Sequence, residues 1–171
     1  MESAPKRRQP VAVDVNFLFD LADGVEDATD AHDLLVRRLP GLTFILTPTV
    51  QHELAHLATT GRTPLKRTTA RKAIRLAHER GMQPRSLSAV EMGIAEQVAR
   101  RLRVCGLIPE SEIHDSFLPP EAALLGCRML VTSDEHLLGA DFARLSLEMS
   151  AFDLDAPVIA SPHNVVRKFF R

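Results

Sequence analysis

The chain has 171 residues, 45% hydrophobic and 25% charged, a balance that suits one globular domain with a sizeable core and excludes a disordered chain. The formal net charge is −1, but residues 60–105 hold eleven Lys/Arg against three Asp/Glu, a net of +8, which leaves −9 on the rest. No apolar run approaches the roughly 18 residues of a membrane span. The polar start MESAPKRRQP is not followed by a signal-type core, so a cytoplasmic protein with a flexible basic arm over 1–10 is expected.

In chain order, three short apolar runs read as buried parallel strands: Val11–Val15, Leu42–Thr47 and Met129–Thr132, with Val158–Ala160 as a fourth. Helical patterns lie between them. Asp30 caps a helix that Pro40-Gly41 ends, Thr47-Pro48 opens one that stops near Gly61, and Thr63-Pro64 opens one that ends at Gly81. Ser88 followed by Glu91 is a capping box that starts a helix to about Arg103, and Ser161-Pro162 opens the last. Strands alternating with helices predict a three-layer α/β sandwich with a mainly parallel central sheet, a single domain over 11–171. With no strand between them, the two helices of 62–104 are expected to form a protruding basic arm. Cys105 and Cys127 have no CxxC spacing and read as buried thiols.

The informative feature is where acids fall relative to strands. Asp14 interrupts VAVDV against β propensity, Asp134 directly follows the LVTS run, and Asp115 opens the segment leading to that strand. Singly, Asp115 and Asp134 are plausible helix caps. Glu53 flanks the Val50/Leu54/Leu57 stripe of its helix, and no Lys or Arg occurs between Gly41 and Gly61 to meet it. An unpaired acid at the edge of a buried face is costly. Strand-end loops of a parallel sheet converge on one crevice, where a divalent cation shared by the acids would satisfy them together. An all-oxygen ligand set favours Mg²⁺ or Mn²⁺ over zinc, and such ions activate water and neutralise charge on a phosphoryl oxygen.

VAVDVN near the start, an acid in TPTVQHEL, and IHDS…EAALLGCRMLVTSD together resemble the PIN-domain nucleases, which include toxin ribonucleases of the VapC kind. The resemblance covers most of residues 11–165. It implies a catalytic and metal-binding cluster of Asp14, Glu53, Asp115 and Asp134, supported by Asn16, Thr132 and Ser133. It also implies Mg²⁺- or Mn²⁺-dependent cleavage of RNA, an antitoxin partner and a homodimer. Two features depart from it: the long basic 60–105 stretch, and Pro119-Pro120, expected to interrupt the segment after Asp115. Glu121 is a secondary acid with an expected surface role. His114 and His136 neighbour the acids and read as structural, with help in phosphate binding as the alternative. The alternative is a PIN-like scaffold that binds RNA or protein without chemistry.

His52-Glu53-Leu54-Ala55-His56 is also a literal HExxH, the zinc-peptidase pattern. On a helical wheel with Val50 at zero, the two histidines fall at roughly 200° and 240°, away from the apolar stripe. They are therefore expected to face outward, which makes a peptidase the third reading. Lys66, Arg67, Arg71, Lys72 and Arg75 spread over a broad helical face suited to sequence-independent contact with an RNA backbone.

Overall fold

The computed structural model describes residues 9–169. Its elements run β1 (Gln9–Val13), α1 (Val15–Asp23), α2 (Glu26–Arg38), β2 (Leu42–Leu46), α3 (Pro48–Thr60), α4 (Pro64–Glu79) and β3 (Gln83–Pro84). They continue with α5 (Ala89–Val104), α6 (Ile113–Leu124), β4 (Met129–Val131), α7 (Glu135–Leu138), α8 (Phe142–Ser150), β5 (Val158–Ala160) and α9 (Pro162–Phe169). Most of the expected N-terminal arm, with its Lys6-Arg7-Arg8, lies outside the described residues, whereas Gln9 and Pro10 already belong to β1.

The five strands of the described residues are all parallel, in the order β3-β2-β1-β4-β5, with Val11 opposite both Phe44 and Met129. The sheet core is dry: Ala12, Val13, Leu130 and Val131 are fully buried. Helices α1, α2, α4 and α9 pack together as one layer and α5, α6 and α8 as another, while α3 touches α1, α4 and α6 and so meets both. From β1 the chain steps outward to β2 and β3, then returns past β1 to β4 and steps the other way to β5. The direction of winding thus reverses between β1 and β4, and in such sheets the crevice for ligands opens there, beyond the carboxyl ends of the strands. Asp14 follows β1 directly, and Asp134 stands three residues past β4.

Local chemistry explains several boundaries. The Ser88–Glu91 capping box forms both of its hydrogen bonds, Ser88 N–H to Glu91 at 2.7 Å and Glu91 N–H to Ser88 Oγ at 3.3 Å. Thr63 caps α4 through Lys66 N–H, with Pro64 at the first helical position. Gly41, at φ +79°, supplies the left-handed turn into β2.

Four expectations need correction. The first strand stops at Val13, because Asp14 accepts the Phe17 N–H and starts α1, burying Val15, Phe17, Leu18, Leu21 and Ala22. Helix α2 begins at Glu26, four residues before Asp30, with Glu26 and Asp27 in its first turn. The stretch 62–104 is helical as expected, but a strand does separate its helices: β3 pairs with β2. Nor do they project as an arm, since α4 packs on α1 and α3 through Ala70, Ala73 and Ala77, and α5 on α6 and α8. Finally, α6 runs through Pro119 and Pro120, both buried. Proline's fixed φ is compatible with a helix, so the pair removes two amide donors from one turn without ending it.

Candidate active site

Asp14 is 3% exposed and fixed on both oxygens: Oδ1 accepts Phe17 N–H at 2.7 Å, and Oδ2 accepts the Thr132 hydroxyl. Thr132 Oγ1 in turn accepts Asp134 N–H at 2.9 Å, so one buried hydroxyl ties the loop after β4 to the loop after β1. Asp134 caps α7 by accepting His136 N–H at 2.8 Å and Leu137 N–H at 3.1 Å, and its other oxygen takes Asn16 Nδ2 at 3.4 Å. Asn16 and Thr132 thus touch the acids. Ser133 does not: its hydroxyl donates to Asp20 Oδ2 at 2.6 Å, away from them. Nothing local in the sequence marks Asp20; on α1 it holds the β4–α7 loop through that bond.

Glu53 from α3 and Asp115 from the first turn of α6 join Asp134 and Asn16 in a cleft of about 380 Å³, rimmed by Ser111, Glu112 and His114. No ion pair among the described residues brings a Lys or Arg to any of the four acids. Burial, with added repulsion from Asp115 and Asp134, pushes Asp14 up to about 7 against the hydrogen bonds that favour its charged form. Burial also raises Asp115 to about 7, helped by the charges of Asp134, Glu112 and Glu53. Glu53 is raised by burial and by Asp134, opposed by His114 and His56. Asp134 thus repels each of the other three acids across the crevice. Glu112, which no sequence motif singles out, belongs to the same field.

As placed, no three His, Cys, Asp or Glu side chains among the described residues converge enough to hold one ion. The expected cluster is thus a shared cleft of acids and not a formed coordination shell. Its chemistry still fits a hard divalent cation: carboxylates predominate, they repel one another, and no Lys or Arg among the described residues lines the cleft. The same absence of a three-residue group leaves HExxH without a third ligand among the described residues. His52 and His56 are exposed as the wheel predicts, and His56 Nδ1 sits 3.0 Å from Thr60 Oγ1.

Glu121 is the largest departure. Expected at the surface, it is 4% exposed and reaches from α6 to the start of α3, accepting Thr49 N–H at 3.1 Å and Thr49 Oγ1 at 2.8 Å. It caps the helix that carries Glu53 from the helix that carries Asp115. Burial raises its pKa, and the neighbouring buried Thr47 hydroxyl faces it without completing a hydrogen bond.

The basic residues of α4 divide in two. Arg67 Nη1 donates to Gly61 O at 2.6 Å and Arg71 Nε to Ala58 O at 3.2 Å, so both serve the carbonyl end of α3. Lys66, Lys72 and Arg75 are exposed. Both cysteines are free; Cys127 is buried, which pushes its thiol up to about 12. No helix among the described residues is long and apolar enough to cross a membrane.

No family model and no curated protein sequence matches the chain. Among solved structures it is similar to a chain of VapBC2 from Rickettsia felis bound to a DNA fragment from their promoter, with TM-score 0.63 and 14% identity over 90% of this chain and 98% of that one. A chain of VapBC-1 from nontypeable Haemophilus influenzae gives TM-score 0.59 and 12% identity with the same coverage. At these identities the likeness is one of fold. The protein is a PIN-like α/β sandwich in which Glu53, Asp115 and Asp134 line one cleft near the reversal point of its sheet.

Proposed function

We propose that the protein is a metal-dependent endoribonuclease and the toxin of a toxin–antitoxin pair. The observation that carries this reading is the cleft at the β1/β4 crevice, into which α3, α6 and the β4–α7 loop direct Glu53, Asp115 and Asp134, with Asp14 hydrogen-bonded beneath. Asp14, Glu53, Asp115 and Asp134 would hold Mg²⁺ or Mn²⁺, which when bound supplies an acidified water and neutralises charge developing on the scissile phosphate. The protein's part is to hold those acids oriented. Thr132 fixes Asp14 and Asp134 relative to each other, Asn16 steadies Asp134, and Glu121 sets α3 against α6.

The exposed Lys66, Lys72 and Arg75 would bind the RNA backbone without reading sequence. The toxin assignment is supported by the fold likeness to chains of VapBC structures, from which an antitoxin partner, a homodimer and a cytoplasmic setting follow as parts of the same proposal. The test is cleavage of single-stranded RNA by the purified chain in Mn²⁺, in Mg²⁺ and in EDTA, beside Asp115→Asn. Cleavage that needs the metal and is lost in the variant is the expected result. RNA binding without cleavage in either metal means a scaffold with idle acids and overturns the enzyme.

A further inference from the structure

The acid cleft has a neighbour. A second hollow of about 520 Å³ lies along the same α3–α6 seam, with α5 as its far wall, and His114 lines both. Consecutive residues of α3 serve the two: His52 the hollow, Glu53 the cleft. On α6, Asp115 faces the cleft and Phe117 the hollow. Pro48, Leu87 and Met92 make the lining apolar, and Met92 is 57% exposed, so nothing among the described residues covers it.

We infer that this hollow is a nucleobase subsite, receiving an unstacked base of single-stranded RNA next to the phosphate held in the acid cleft; the inference rests on the nuclease reading. A base has two apolar faces and polar edges, and the hollow offers the matching set: Phe117 and Met92 for the faces, His52 and His114 for stacking or hydrogen bonds to the edges. The chain has no Trp or Tyr, so stacking falls to such residues. The cleft and hollow share His114, so a nucleotide whose phosphate enters the cleft carries its base to the mouth of the hollow. A base inside a duplex is covered on both faces and cannot enter, which sets the ligand class as single strands and loops. One outward histidine of the HExxH pattern thereby acquires a use: His52 belongs to substrate recognition.

The test uses a short single-stranded oligoribonucleotide and a panel of the same strand with one abasic nucleotide moved position by position. Binding to the full chain is measured by fluorescence anisotropy in EDTA, and cleavage separately in Mn²⁺. Loss of the base at one position beside the cut should weaken binding about tenfold, the scale of one base–aromatic stack. Phe117→Leu, which keeps the hollow apolar, and His52→Ala, at an exposed position, should each shrink that discrimination and leave Mn²⁺ affinity unchanged. Discrimination that survives both substitutions overturns the subsite. So does a dimer that Met92→Glu dissociates while the discrimination persists, because a second copy then covers the hollow. Absence of cleavage with base discrimination intact and sensitive to Phe117→Leu sinks the nuclease reading and supports the subsite.

Discussion

Replacing Asp14 by Asn should stabilise the metal-free protein at neutral pH and abolish metal-dependent cleavage. In the folded chain the Asp14 carboxyl lies at about 7 against 3.8 for a free aspartate, because burial and the charges of Asp115 and Asp134 disfavour its ionised form. The folded state therefore holds this proton more tightly than the unfolded state between those two values, so stability falls as pH rises through that window. Below about pH 4 both states are protonated and the penalty is absent; above about pH 7 it is complete. The difference corresponds to about 4 kcal/mol at most. Asn is neutral throughout, its amide oxygen can accept Phe17 N–H, and its amide nitrogen can donate to Thr132 Oγ1. Urea unfolding followed by circular dichroism in EDTA should show the two proteins close together near pH 4 and the variant ahead by about 2–4 kcal/mol near pH 7.5. Mn²⁺ at about 100 times its Kd should restore about 2.7 kcal/mol to the wild type and much less to the variant. A wild-type chain that gains stability from pH 4 to pH 7 relative to Asp14→Asn would refute the reasoning, since Asp14 would then be a paired, depressed carboxylate.

Glu121→Ala should cost about 1–3 kcal/mol by leaving Thr49 N–H without its cap and should weaken Mn²⁺ binding, while Glu121→Gln, which keeps one acceptor, retains most of both; an Ala variant as stable as wild type in urea contradicts the capping role. Removing Lys66, Lys72 and Arg75 should flatten the salt dependence of RNA affinity by about 0.7 log units for each phosphate that is no longer neutralised, whereas Arg67→Ala and Arg71→Ala should lower stability by about 1 kcal/mol each through the carbonyls of Gly61 and Ala58. An unchanged slope in the first set removes α4 from the RNA interface. His56→Ala should leave cleavage in Mn²⁺ unaltered, and loss of one equivalent of bound zinc with that substitution would restore the peptidase reading. Gly61→Ala should destabilise the end of α3, because its new Cβ would stand 2.6 Å from Leu57 O; melting temperatures equal to wild type would show that the turn can relax.

Features of this protein set by neighbours in sequence were legible in advance. The Ser88–Glu91 box, the Thr63-Pro64 and Thr47-Pro48 helix starts and the apolar runs of β1, β2, β4 and β5 depend on bonds and burial spanning a few residues, so they can be read from spacing alone. The alternation of those runs with helical patterns was enough for a parallel α/β sandwich, and acids after its strands were enough to look for a crevice. The tertiary structure decided the rest. Gln83–Pro84 became a strand because β2 offered it an open edge, which a polar dipeptide does not advertise. Asp14 left the strand because its carboxyl captured the Phe17 N–H and was held from the far side by Thr132, a residue 118 positions away. Glu121 was buried by the approach of α3 to α6, Arg67 and Arg71 were drawn to the end of α3, and Ser133 turned to Asp20. The physical reason is common to all of them: a charged or polar side chain takes its role from whichever partner the packed layers bring within hydrogen-bond reach, and those partners lie far away along the chain.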